Sequence, residues 1–217
     1  MTDHTTRMAA LLGELRREMN GAVAESMQRG AGGYGLNYGV SIPTIRAIAA
    51  RVGTDHAFAQ FLYRQDVREL RMAALSIADP AAVTPDDVDA WLAGRMPEEL
   101  IEELALRLLS RCGRPVLDTL RERWLRAGSG AERYAALMAL ARARMQEFDT
   151  AAVVEAVPEA VAACPDDLRL ARGAAAFVQS AAARIAPERL GRMLDRLPDS
   201  RGGRYLRDEL AWMAGRS

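Results

Sequence analysis

The residues of this chain whose types and spacing could do chemistry are its arginines and one short run of glutamates. Glu98, Glu99, Glu102 and Glu103 lie within residues 97–111, where Leu100, Ile101, Leu104, Ala105, Leu108 and Leu109 repeat at the helical period. That pattern predicts one apolar stripe along a single helix. At roughly 100° per residue, Glu99 and Glu103 fall opposite the stripe and are expected to be solvated. Glu98 and Glu102, one turn apart, fall on its flanks. A carboxylate on the edge of a packed face can line a groove, or it can be the polar margin of an ordinary amphipathic helix.

The basic side is made entirely of arginine: none of the 29 positive residues is lysine. Schiff-base chemistry through lysine is therefore impossible, and so is the lysine of a nucleotide-binding P-loop. Arginine keeps its charge and presents a planar fork suited to phosphate. Formal net charge is zero, but it is unevenly spread. Residues 79–104 hold eight acids against Arg95, whereas residues 105–146 hold nine arginines, Arg133, Arg142 and Arg144 among them, against three acids. Such asymmetry can place a polyanion on one part of a neutral protein. Equally, these charges can pair locally on solvated helix faces.

Other chemistry is excluded or weak. Cys112 and Cys164 lie far apart, as do His4 and His56, so no spacing resembles a metal site, and neither a metal nor a cofactor is expected. Cys164, ahead of a helix start, is a candidate reactive thiol, but the structural use of a small helix-end residue is favoured. The glycine-rich stretch 30–43 has no strand before it and no lysine to complete a phosphate cradle. It reads as a surface loop, with Ser41 near a helix cap and Pro43 in the first turn of a helix over 43–52.

The elements that must position these residues are helices throughout. Residues 5–29 predict two short helices broken near Asn20-Gly21, followed by helices over 43–52, 55–64 and 66–78. Thr84-Pro85-Asp86-Asp87 carries the cap, proline and first-turn acids of a helix anchored by Trp91 and Leu92. Further helices are expected over 97–111, 115–126, 131–145, 149–163, 166–185, 187–197 and 204–215. The segment 166–185 is paved with alanine, which lets neighbouring helices approach closely, and Phe177 lies at the margin of its stripe as a partner anchor or as a lid over the next helix. Longer helices start every thirty to thirty-five residues, near Asp66, Pro97, Gly130 and Pro165. These features predict an all-α, right-handed α-α superhelix, a HEAT-like repeat solenoid of about six helix pairs, forming one domain over residues 1–217. A monomer is expected, since stacking satisfies each apolar face internally. No apolar run approaches the roughly 20 residues of a membrane span, so a cytoplasmic location is the default.

At this point the chain resembles the bacterial DNA alkylation repair proteins of the AlkD-like type. The likeness is carried by Tyr38-Gly-Val-Ser-Ile-Pro-Thr-Ile-Arg46, by Val67-Arg-Glu-Leu-Arg-Met-Ala-Ala-Leu75 and by the helix order through Pro187, over residues 10 to 200. It implies HEAT-like helix pairs and a concave face that binds duplex DNA. Glycosylases of that family remove cationic 3- and 7-methylpurines without a metal, holding the lesion without a base-flipping pocket. Their site combines two tryptophans with an aspartate that stabilises the developing positive charge, and an arginine contacts DNA nearby. By register, Glu102 stands at the aspartate, Glu98 at the first tryptophan, Phe177 at the second and Arg133 at the arginine; Arg142 and Arg144 extend the basic module.

The resemblance thus implies a DNA-binding repair protein that recognises alkylated duplex DNA, with Glu102 as the carboxylate of a weak 3/7-methylpurine glycosylase. Two alternatives stand beside it: a non-catalytic binder of damaged or branched DNA, and a HEAT-like scaffold whose partner is another protein.

Overall fold

The computed structural model describes residues 4–29, 34–94, 96–143 and 148–215. They form twelve α-helices, and the sole strand-like feature among them is one parallel bridge between Leu36 and Val67. The fold is all-α, as the periodicities require. It divides into two compact units, Met1–Leu108 and Leu109–Ser217. Among the described residues, no helix is long and apolar enough to cross a membrane.

The first unit holds α1 (His4–Arg17), α2 (Gly21–Arg29), α3 (Ile42–Val52), α4 (His56–Tyr63), α5 (Arg68–Ile77) and α6 (Glu98–Glu103). The expected break between α1 and α2 is present, and the Asn20 N–H there donates to the Tyr38 carbonyl at 2.9 Å. Ser41 caps α3 by accepting from the Thr44 N–H, and Asp55 caps α4 by accepting from Phe58. The Arg7 guanidinium also reaches Asp55 at 2.7 Å. The capping bond from the Phe58 N–H, followed by this partner, holds the Asp55 carboxyl below its ordinary value. The N–H of Asp55 donates to Ile77 O, so α4 runs antiparallel to α5. Helix α5 is enclosed on almost every side, with Leu70, Met72, Leu75 and Ile77 buried.

Residues 84–92 differ from the expectation. Thr84 and Asp87 exchange capping bonds, with N–H donors at 2.8 and 3.3 Å, yet only a 3-10 segment, Val88–Leu92, follows. Capping signals start a helix, but too few residues remain before Gly94, whose φ is +79°, to continue one. Trp91 is core, as expected.

The predicted stripe of 97–111 is entirely buried, all six of its residues being 0 % exposed. The helix is not uniform, however: α6 passes into a π-helical turn, Leu104–Leu108, and the second unit opens with a 3-10 turn, Leu109–Arg111. The larger correction concerns Glu99 and Glu103, of which the first is half-buried and the second buried. Arg46 of α3 holds Glu103 through both guanidinium arms, and Arg68 of α5 holds Glu99 likewise, at 2.7 and 2.9 Å. A single-helix wheel sees only the stripe; it cannot see that α3 and α5 bring arginines to the opposite side.

Arg68 is the centre of this arrangement. It is 4 % exposed, donates to Val40 O at 2.8 Å and also pairs with Glu69, which is 0 % exposed. Glu69 in turn accepts the N–H groups of Tyr38 and Val40. Burial alone would pull the Arg68 guanidinium down, but Glu99 and then Glu69 outweigh it and raise it. Loop 34–41 is thereby stapled to the start of α5. It also passes so close to α2 that a Cβ on Gly39, whose φ is +68°, would lie 2.3 Å from Asn20 O.

The second unit holds α7 (Arg114–Thr119), continued by a π-helical turn over Leu120–Leu125, then α8 (Gly130–Leu140), α9 (Thr150–Ala163), α10 (Leu168–Ser180), α11 (Pro187–Asp195) and α12 (Arg201–Leu210). Gly130 faces Asp167 and Gly173 faces Tyr134, so α8 and α10 run parallel. Gly202 faces Ala171, while Gln179 bonds Glu209, which sets α12 parallel to α10 in the same rank. The close approach expected from small residues is present: a Cβ on Gly173 would sit 2.8 Å from the Tyr134 ring.

Replacing Arg68 with methionine leaves the buried Glu69 and the half-buried Glu99 without their cation. Urea unfolding followed by circular dichroism is expected to show a loss of about 3–5 kcal/mol.

Candidate nucleic-acid interface

The sequence-predicted site residues fall in both units. In the first, Glu98 is half-buried in the opening turn of α6, and Glu102 is exposed on its outer side. Glu99 and Glu103 face the arginines of α5 and α3, so it is Glu102 that the same helix turns to solvent. Glu98 and Glu102 therefore differ in setting although they are one turn apart.

In the second unit, the structure gives Arg133 a different task from the phosphate contact implied by register. It is 6 % exposed, and its guanidinium donates to Arg126 O at 2.9 Å, Gly128 O at 2.8 Å and Ala160 O at 3.5 Å. A capping box, in which Ser129 accepts the Glu132 N–H and Glu132 accepts the Ser129 N–H, opens α8 and aims Arg133 back at the preceding turn. Carbonyls at a helix end lack intrahelical donors, and a buried arginine satisfies three of them at once. This use depends on tertiary folding, which is why the arginine count could not reveal it.

Phe177 is 0 % exposed, with the Phe148 ring centroid 6.3 Å away. Its side chain fills the core of α10, so of the two expected uses the packing one holds, and its face is not open to a base. Arg142, just past the end of α8, is half-buried and donates to Met138 O at 3.0 Å. Arg144 lies outside the described residues.

Much of the charge asymmetry pairs locally. Arg114 reaches Asp118, Arg121 and Arg126 reach Glu122, and beyond the basic module Arg189, Arg196 and Arg204 reach Glu155, Glu159 and Asp199. Sequence reasoning missed Arg184. It is exposed after α10, stands 5.7 Å over the Phe148 ring and has no carboxylate partner among the described residues. Because α8 and α10 are parallel, Arg142 and Arg184 follow the same end of adjacent helices. In the sequence Arg184 falls inside the helix expected over 166–185, whereas α10 ends at Ser180 and Arg184 lies in the 3-10 turn after it, so nothing in the sequence singles it out. Among the described residues, no group of histidine, cysteine or acidic side chains is placed to hold a metal ion.

Arg133→Ala is expected to lower stability by about 2–3 kcal/mol, because it strands buried carbonyls; chemical denaturation checks it.

Comparison with known proteins agrees with this architecture. No curated protein matches the chain in sequence. A solved structure described as "a new family of proteins related to the HEAT-like repeat DNA glycosylases with affinity for branched DNA structures" superposes with a TM-score of 0.68 at 18 % identity, covering 99 % of this chain and 96 % of that one. The fold is therefore of the HEAT-like repeat type. Residues 11–175 match the sequence profile described as DNA alkylation repair enzyme. Since that match takes in well over half of its length, the chain belongs to the DNA alkylation repair enzyme family.

Proposed function

We propose that this protein binds DNA through the arginines that follow α8 and α10, and that it recognises a DNA form, damaged or branched, rather than stacking a lesion between aromatic faces. The observation that carries this reading is the pair Arg142 and Arg184 at one end of a parallel helix rank, in a chain of the alkylation-repair family. Arginines already matched to a carboxylate offer a polyanion little, whereas each one still open to phosphate releases counterions on binding. At the two positions where the family resemblance places tryptophans, this chain has a carboxylate, Glu98, and a fully buried ring, Phe177. The structural relative described as having affinity for branched DNA supports the choice of DNA form.

A second reading, weak excision of cationic methylpurines, is favoured by one observation, the exposed carboxylate of Glu102 at the family's acidic position. A preplaced negative charge stabilises the positive charge that develops as the glycosidic bond breaks.

Two measurements separate the readings. For the first, the double variant Arg142→Ala, Arg184→Ala is expected to weaken binding to duplex and to four-way junctions and to reduce the logarithmic salt slope by roughly 1.8, at about 0.9 per contact. An unchanged slope sinks the assignment of DNA to this end of the helices. For the second, single-turnover release of 7-methylguanine from methylated duplex is compared with a no-protein control. If Glu102 acts, Glu102→Gln lowers release by roughly one to three decades with affinity retained; wild-type release equal to the control removes the enzyme reading and leaves the binding one.

A further inference from the structure

In the second unit the ends of three helices lie along one edge. Helices α8, α10 and α12 are parallel, and Gln179, next to the end of α10, bonds Glu209, next to the end of α12, at 3.1 Å. Arg142 follows α8 and Arg184 follows α10. The residue in the matching place after α12 is Trp212, which, like Arg142, stands two residues past the last residue of its helix. Packed helices are about 8–10 Å apart, so the edge carries two arginines and then a tryptophan at steps of about that size.

Trp212 is 67 % exposed, whereas the other two tryptophans, Trp91 and Trp124, are buried. One exposed apolar side chain means little by itself. Its setting makes it informative. Helix α12 closes the rank: Leu206 and Leu210 are buried while Arg204, Asp208 and Glu209 are exposed, so its outer side is polar, as the last helix of a stack requires. The indole departs from that rule at the end of the helix. Its backbone is fixed there by the 3-10 turn Ala211–Ala214, which packs on α11. Gly215, at φ +65°, closes the turn by donating its N–H to Ala211 O and Trp212 O. A rigid indole has only two side-chain torsions to order when it makes a contact. Asp208 and Glu209, one turn before it, disfavour a phosphate against the ring but not the neutral face of a base.

Inside an intact duplex both faces of every base are covered by its neighbours, so an indole at the edge finds no partner. Where the stack is interrupted a base face is open, and stacking on an aromatic side chain suits any base. Extruding such a base costs least where it is already unpaired.

We propose that Trp212 stacks on the open face of an unpaired base next to the strand held by Arg142 and Arg184, and so supplies the preference for interrupted over intact DNA. This rests on the reading of those arginines as phosphate contacts and adds the group that tells the DNA forms apart. Trp212 is neither of the positions, Glu98 and Phe177, at which the family resemblance places tryptophans.

Because Trp91 and Trp124 are buried, the acrylamide-quenchable emission of the full chain reports Trp212. The test titrates the protein with two duplexes of the same length and ends, one intact and one carrying a single bulged adenine. The bulged duplex is expected to bind about tenfold more tightly, the worth of one stacked base, and to shield Trp212 from acrylamide. Trp212→Ala, at an exposed position, should bind the two duplexes alike, and Trp212→Phe should keep part of the preference. Equal affinity of the wild type for both duplexes, or an undiminished preference in Trp212→Ala, overturns the proposal. Shielding of Trp212 in the free protein, with a doubled mass in sedimentation, makes a second copy its occupant and overturns it as well. Failure of the arginine reading shows elsewhere, as an unchanged salt slope in the Arg142→Ala, Arg184→Ala variant.

Discussion

The first unit depends on a buried guanidinium. Arg68 sits out of water between the buried Glu69 and the half-buried Glu99, and desolvating such charges is unfavourable unless geometry and hydrogen bonds offset it. Here they do. Arg68 engages Glu99 through two nitrogens, and Glu69, besides Arg68, accepts two backbone N–H groups from the loop ahead of α3. The same arginine donates to Val40 O. Segment 34–41 is thus held both through its N–H groups and through a carbonyl. Tyr34 lies beside this cluster, where burial and then the negative charge of Glu99 push its phenol well above the ordinary range.

That constraint also sets which side of α6 meets solvent. With Glu99 drawn to α5 and Glu103 drawn to Arg46 of α3, the helix is fixed about its axis from two directions. The buried stripe Leu100–Leu109 fixes it from a third. Glu102 is then exposed because its neighbours are consumed. Four glutamates in six positions look alike in composition, yet two are structural counter-ions, one is half-buried at the helix start and one is open. A basic or acidic count over a segment cannot separate such roles, because pairing is decided by the helix next door.

What could be read in the sequence follows from the range over which each signal acts. The apolar stripe of 97–111, the break at Asn20, the Ser41 cap and the alanine-paved approach of α10 to α8 are local patterns, and each is present. Signals that need a third dimension went astray. A wheel drawn for one helix sends Glu99 and Glu103 to solvent. Family register matches Arg133 to a phosphate, although a capping box turns it onto three carbonyls. Phe177 was placed at a margin, and the ring of Phe148 helps to close that margin. The caps at Thr84 and Asp87 form, but the chain reaches Gly94 before a regular helix can develop. Family register transfers a position in the chain; it does not transfer the direction of a side chain.

These distinctions bear on what the second unit can offer a polyanion. Its arginines are numerous, but an arginine paired with a neighbouring carboxylate must give up that interaction before it gains a phosphate, and an exposed pair is worth only about 0–1 kcal/mol. Such residues can be recruited at small cost, yet they confer no preference for where a strand lies. Arg133 cannot be recruited without unsatisfying buried carbonyls, so it is fixed in place. Arg142 and Arg184 stand between these limits: Arg142 already donates to a helix-end carbonyl, which orients it, and Arg184 rests over Phe148, which does the same. Orientation with no competing carboxylate among the described residues is the property a phosphate contact needs, because the ordering entropy has been met by the fold. On the proposed reading, the placement of DNA depends less on how many arginines the unit carries than on which of them the fold holds in position with no carboxylate partner among the described residues.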